Sequence, residues 1–253
     1  MRANPSPLSG SQSHIPYLYY HRLRDGQPVS DFSELHAIIH LAHKYQCPDV
    51  ETRALSVLKR YYTAHLIDYV RYSTSRPSMP APMRTAAIAA VNITRLTNTV
   101  SMLPFALYQV CTLGGLMMDG YQRRDGTVEY LSTQDLRLCV GAQKTFAKEM
   151  FLFVKEVFQR KPSPGCKTTY RCTPALVNIC DDMELNGIRK FELLDFYQEA
   201  IANWAVKFGL CTICKKGMLT RQVEERRRVW NMLPGVFCMT AEECGFTSTT
   251  PSW

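Results

Sequence analysis

The stretch Ser30-Asp31-Phe32-Ser33-Glu34-Leu35-His36-Ala37-Ile38-Ile39-His40-Leu41-Ala42-His43-Lys44-Tyr45, followed by Gln46-Cys47-Pro48-Asp49-Val50, decides the fold class. Asp31 can accept from the free N–H groups of a first helical turn, and Glu34 three residues on can complete a capping box. Phe32, Leu35, Ile38, Ile39, Ala42 and Tyr45 then recur at helical spacing. Cys47-Pro48 stops that helix and opens the next, because a first-turn proline lacks only an N–H that would have no partner anyway. Val50, Ala54, Val57, Leu58 and Tyr61 give the second helix a buried stripe. Two such segments joined by a short turn make a helical hairpin.

The pattern continues outward. Thr85 to Thr97 reads as a helix with Ile88, Ala89, Asn92 and Leu96 on one face, and Leu103-Pro104 starts another carrying Phe105, Leu107, Tyr108 and Cys111. Asp119-Gly120 and Asp125-Gly126 are turns, with a short extended piece expected over Val128 to Leu131. A long helix is predicted from a Ser132 cap towards Gln159, with Leu136, Val140, Phe146, Met150, Phe153, Val154 and Val157 inside. Further helices are expected from Thr173-Pro174, from about Lys190 to Phe208 with Gly209 as its stop, and from about Lys215 to Trp230. Trp204 and Trp230 fall on buried stripes, and Trp253 lies in the tail. Alternating β-branched runs are few, so the expected fold is all-α, an array of seven to nine helices.

The 253 residues suffice for one large domain or two small ones, and 46% hydrophobic with 21% charged residues is a globular composition. The expected organisation is a disordered tail over 1–14, a first helical part over 15–72, a Pro-rich linker over 73–84, a helical domain over 85–240 and a tail over 241–253. No apolar stretch near Met1 has the character of an export signal, and the longest apolar run, Ala86–Val91, is far too short to cross a bilayer. The expectation is therefore a cytoplasmic or nuclear protein without a membrane partner, its ten cysteines mostly reduced.

Cysteine spacing carries the only definite chemistry. Cys211-x2-Cys214 points two sulfurs at one spot directly after an apolar helix, and Cys166-x5-Cys172 lies in a Pro/Gly-rich loop. Together they supply the four thiolates of a structural zinc site, with Cys180 able to replace one of them. Packed or exposed thiols and a redox dithiol at Cys211 and Cys214 are the alternatives. His36, His40 and His43 share one helix, but the residues between the first two are Ala-Ile-Ile, without the glutamate of a metalloprotease helix. Asp181, Asp182 and Glu184 read as a solvated face. No phosphate-binding glycine loop or nucleophile elbow occurs in the sequence, so no enzyme is expected. The net charge of +8 concentrates partly in Lys207, Lys215, Lys216, Arg221, Arg226, Arg227 and Arg228. Such a cluster is compatible with a solvated helix face or with nucleic acid.

Several stretches resemble, in order, the BTB/POZ-domain proteins of mushroom-type fungi (basidiomycetes). Pro28 to Tyr45, with Leu41-Ala42-His43-Lys44-Tyr45, resembles the helix pair closing their BTB fold, and Val50-Glu51-Thr52-Arg53-Ala54-Leu55 continues it. Ala87 to Arg95 and Leu103 to Tyr108 resemble the helical region after the BTB domain, while Leu210 to Cys214 and Arg226 to Phe237 resemble the ending. The strand-rich N-terminal half of a BTB domain has no counterpart before Pro28. The resemblance implies paired cysteines at the places named, a structural part for His43, and a non-enzymatic adaptor recruiting other proteins through helical surfaces. Dimerisation and cullin contact, which that missing half usually supports, fall outside what it implies. The second functional reading is a zinc-stabilised nucleic-acid-binding protein using the basic last helix.

Overall fold

The computed structural model describes residues 31–74, 84–183 and 192–246. The N-terminal tail, most of the Pro-rich linker, Glu184, Lys190 and Trp253 lie outside the described residues. The fold is all-α: among the described residues there are nine α-helices, two short 3-10 turns and one two-stranded ribbon. They divide into two compact units, residues 31–135 with 243–246, and residues 136–242.

The first unit starts with α1 (Phe32–Lys44) and α2 (Pro48–Leu58), the expected hairpin. Asp31 caps α1 by accepting from the Glu34 N–H at 2.9 Å. Gln46, at φ 54°, turns the chain out of α1 in the left-handed region, and Pro48 opens α2. Phe32, Leu35, Ile38, Ile39 and Ala42 are buried as the spacing demands, whereas Tyr45 is exposed. A helix absent from the expectation, α3 (Leu66–Thr74), follows. Its short apolar stripe reads weakly, and Tyr69 packs edge-on against Phe105 at 5.1 Å.

α4 (Ala86–Leu96) is the central element of this unit. Every residue from Ala86 to Val91 is buried, so the helix is covered on all sides rather than on the one face expected. α5 (Leu103–Cys111) packs along it. The ribbon pairs β1 (Tyr121–Gln122) antiparallel to β2 (Val128–Glu129), with Tyr121 opposite Glu129. Gly120, at φ +79°, admits no side chain: a Cβ there would stand 2.6 Å from Val128 Cγ1 and 2.7 Å from the Glu129 carbonyl oxygen. α6 (Thr133–Val157) begins at the boundary of the two units. Ser132 Oγ accepts from the Asp135 N–H at 3.0 Å, as expected of a cap, and Asp135 also holds Arg95 at 2.6 Å.

The second unit holds most of α6 together with α7 (Thr169–Asp182), α8 (Gln198–Lys207) and α9 (Thr212–Val236). Phe146, Phe153 and Val157 of α6 are buried, but Val140 is 53% exposed, against expectation. α7 begins before Thr173-Pro174, and α8 is shorter than its periodic stretch because Leu193 and Leu194 are buried from a turn instead. Gly209 ends α8 in the left-handed conformation, as expected. α9 buries Cys214, Met218, Gln222 and Arg226 at four-residue intervals, then Val229, Trp230 and Leu233. Trp230 is a core residue, while Trp204 is half-buried, edge-on to Phe158 with its Nε1 donating to Asp182 at 2.8 Å.

Candidate metal centre

Two local decisions in the sequence bring the sulfurs together. The loop after α6 turns at Gly165 and presents Cys166, and the first turns of α7 carry Cys172. The stop at Gly209 releases the chain into Cys211, which is the N-cap of α9, with Cys214 one turn inside. All four sulfurs lie within 4.8 Å of one another. Cys166 Sγ and Cys211 Sγ are 3.7 Å apart. Zinc–sulfur bonds of about 2.3 Å in a tetrahedron give an edge of about 3.8 Å, so the spacing fits a zinc site of four thiolates. It is far longer than the roughly 2.05 Å of a disulfide.

The surroundings suit thiolates. The Cys214 N–H donates to Cys211 Sγ at 3.4 Å and the Ser163 N–H donates to Cys214 Sγ at 3.3 Å. Backbone donors of this kind orient and charge-balance metal-bound sulfur. The Cys214 N–H, helped by the neighbouring thiols, lowers Cys211 to about 6. Burial pushes Cys214 up to about 12, with the sulfurs beside it adding to the rise. One thiolate therefore forms readily here, and further negative charge calls for a cation. Thr168 Oγ1 lies 3.4 Å from Cys172 Sγ and 3.8 Å from Cys166 Sγ, bridging the loop cysteine and Cys172, which lies in α7 rather than in the loop expected.

Gly217 sets how closely α9 approaches this loop. A Cβ at that position would meet Ser163 Oγ at 2.1 Å and Ser163 Cβ at 3.0 Å. Cys180 is not a ligand, because its thiol is committed to the Phe158 carbonyl oxygen at 2.8 Å.

The six cations of the last helix considered for nucleic acid do not form a free strip. Arg226 is buried with its guanidinium 4.2 Å from the Phe196 ring centroid. Arg221 donates to the Val157 carbonyl at the C-terminus of α6, where a cation meets the negative helix end. Arg228 pairs with Glu149 and Glu225. Lys215, Lys216 and Arg227 stay at the surface to differing degrees. Of the acidic cluster, Asp181 pairs with Arg160, and Asp182 holds Lys207 and Trp204.

The histidine helix gains a partner that sequence spacing did not reveal. Glu129 Oε1, from β2, lies 2.8 Å from His36 Nε2 and 3.7 Å from His40 Nε2. Burial alone would raise Glu129, but the nearby His36 and hydrogen bonds from Arg123 and Asn92 outweigh it and hold the carboxyl at about 2. Burial, and then His36, lowers His40 to about 4. His43 faces elsewhere, its Nδ1 3.3 Å from Glu51 Oε2, tying α1 to α2. Only a pairing between α1 and a ribbon far along the chain could have exposed the His36–Glu129 contact.

No helix among the described residues is long and apolar enough to cross a membrane. No family model, curated protein or solved structure matches the chain.

Proposed function

We propose that this chain is a non-enzymatic protein–protein interaction module, an adaptor of the BTB/POZ type, whose second unit is held by one structural zinc on Cys166, Cys172, Cys211 and Cys214. The observation that carries the interaction reading is the outer face of α6. Val140 and Phe151, 53% and 69% exposed, stand eleven residues apart. That spacing returns them to within about 20° of one direction on a helix. Arg137, Lys144, Lys148 and Lys155 are exposed along the same face, and the acidic Glu149 and Glu156 point away from it by spacing. Two apolar anchors set among cations fit an acidic, amphipathic partner segment.

The cysteine site supports the structural part of the reading. Four protein sulfurs around one zinc would fill its tetrahedral shell and leave no position for a substrate, the mark of a structural rather than catalytic zinc. Its thiols need a reducing compartment, in keeping with a cytoplasmic or nuclear protein.

The test is affinity purification of the tagged protein from its own cells after nuclease treatment. Phe151→Asp and the pair Lys144→Glu with Lys148→Glu serve as comparison. Protein partners that survive nuclease and disappear with both variants uphold the reading. Partners indifferent to both variants would remove the α6 face from it, and material lost on nuclease treatment would assign the chain to nucleic-acid binding instead. Purified protein carries one equivalent of zinc at the cysteines, lost when Cys211 and Cys214 are both changed to serine. A folded protein that takes up no metal there rules the zinc out.

A further inference from the structure

The geometry points to a second metal site, separate from the cysteines: His36 Nε2, His40 Nε2 and Glu129 Oε1 form a three-ligand centre for zinc. The two histidines stand one turn apart on α1, their ring centroids 4.3 Å from each other. β2 brings the carboxylate against both, and the three ligand atoms lie within 4.8 Å of one another. Zinc bonds to nitrogen and oxygen of about 2.0–2.1 Å imply ligand–ligand separations of about 3.3 Å. The observed 2.8 and 3.7 Å bracket that value.

A second observation points to a ligand. Both Nε2 atoms are buried without a hydrogen-bond partner, and His36 is only 5% exposed. Their contact to Glu129 is electrostatic, Oε1 standing 2.8 Å from His36 Nε2 and 3.7 Å from His40 Nε2. Two buried nitrogens that converge on one carboxylate oxygen mark a place for a cation. The outer shell is already in place. Asn92 Nδ2 donates to Glu129 Oε2 at 3.2 Å, which orients the carboxylate and leaves Oε1 towards the histidines.

Arg123 is the competitor. Its guanidinium pairs with Glu129 Oε1 and supplies the positive charge that zinc would supply. With a side chain 35% exposed, it can yield that oxygen and turn towards solvent. His36 and His40 line a cavity of about 310 Å³ with Ser33, Tyr121, Arg123 and Arg124, which has room for water or an anionic group as a fourth ligand.

Zinc titration of the full chain by calorimetry, with elemental analysis after desalting, tests the site. The expected stoichiometry is one zinc at this site, lost in His40→Ala and in Glu129→Gln. The glutamine keeps the volume of Glu129, so unchanged circular dichroism separates lost ligation from lost folding. The site survives Cys211→Ser with Cys214→Ser, which makes its failure distinguishable from failure of the cysteine centre. Arg123→Gln tightens it at least about tenfold by removing a like charge, an effect a purely structural histidine pair would not produce. Zinc uptake unchanged by both His40→Ala and Glu129→Gln, or abolished wholly by the cysteine pair, overturns the proposal.

Discussion

At the scale of single residues, Glu129 shows how one carboxylate organises its surroundings. It gathers His36 and His40 from α1, Asn92 from α4 and Arg123 from the ribbon, and it is itself largely buried. Its acid response follows from the signs. Glu129 falls from 4.5 to about 2 in the folded protein, so it favours the folded state above pH 4.5 and loses that contribution as the pH falls towards 2. His40 falls from 6.5 to about 4, so the unfolded chain binds the proton first and stability declines as the pH drops from 6.5 through 4. Glu129 attracts the proton to His40, whereas burial, His36, Arg123 and His43 oppose it. In chelator-containing buffer the melting temperature of the first unit should therefore fall between pH 6.5 and 4. His40→Gln should flatten that part of the curve while leaving the decline below pH 4.5. A curve identical in the variant would mean that His40 titrates normally.

At the scale of elements, α9 joins two requirements in one helix. Its first turn carries Cys211 and Cys214, and its next turn must pass the ligand loop at Gly217. Gly217→Ala gains about 1 kcal/mol of helix propensity. It also drives a methyl into Ser163, whose N–H serves Cys214, and overpacking of this kind costs about 1–3 kcal/mol. The net expectation is a loss of up to about 2 kcal/mol in denaturant unfolding, with weaker zinc retention. A stabilised variant would show that the loop moves aside freely.

These elements also show how far the sequence could be read. The α1–α2 hairpin, the Ser132 cap and the Gly209 stop follow from local rules, since caps and periodicity depend on neighbouring residues. Cys211 and Cys214 stood out because knuckle spacing is also local, whereas Cys166 and Cys172 meet them only across 45 residues or so of chain. Val140 misled because an apolar residue on a helical stripe does not reveal that its side of α6 stays open. Arg221, Arg226 and Arg228 misled in the opposite sense: a charge run resembles a solvated face, although these guanidiniums serve a helix end, an aromatic ring and two carboxylates. α4 was read as one-sided because periodicity cannot show that a second layer covers its back.

At the scale of the molecule, the two units hold their candidate centres separately, cysteines in the second and histidines with Glu129 in the first. In a protein loaded at the cysteines alone, a chelator should speed amide hydrogen exchange in residues 136–242 and leave 31–135 unchanged. Equal loss of protection in both would mean that the chain unfolds as one cooperative body. The outer face of α6 has a further consequence for how copies of this protein meet one another. Val140 and Phe151 would adhere between molecules, but lysines flank them on every copy, so the contact is repelled at low ionic strength. Screening shortens the reach of that repulsion from about 10 Å at 0.1 M salt to about 3 Å at 1 M. Light scattering should accordingly show the protein self-associating as salt rises, with Phe151→Asp remaining dispersed. An acidic partner would dissociate over the same range, so ionic strength would exchange one companion on this helix for another.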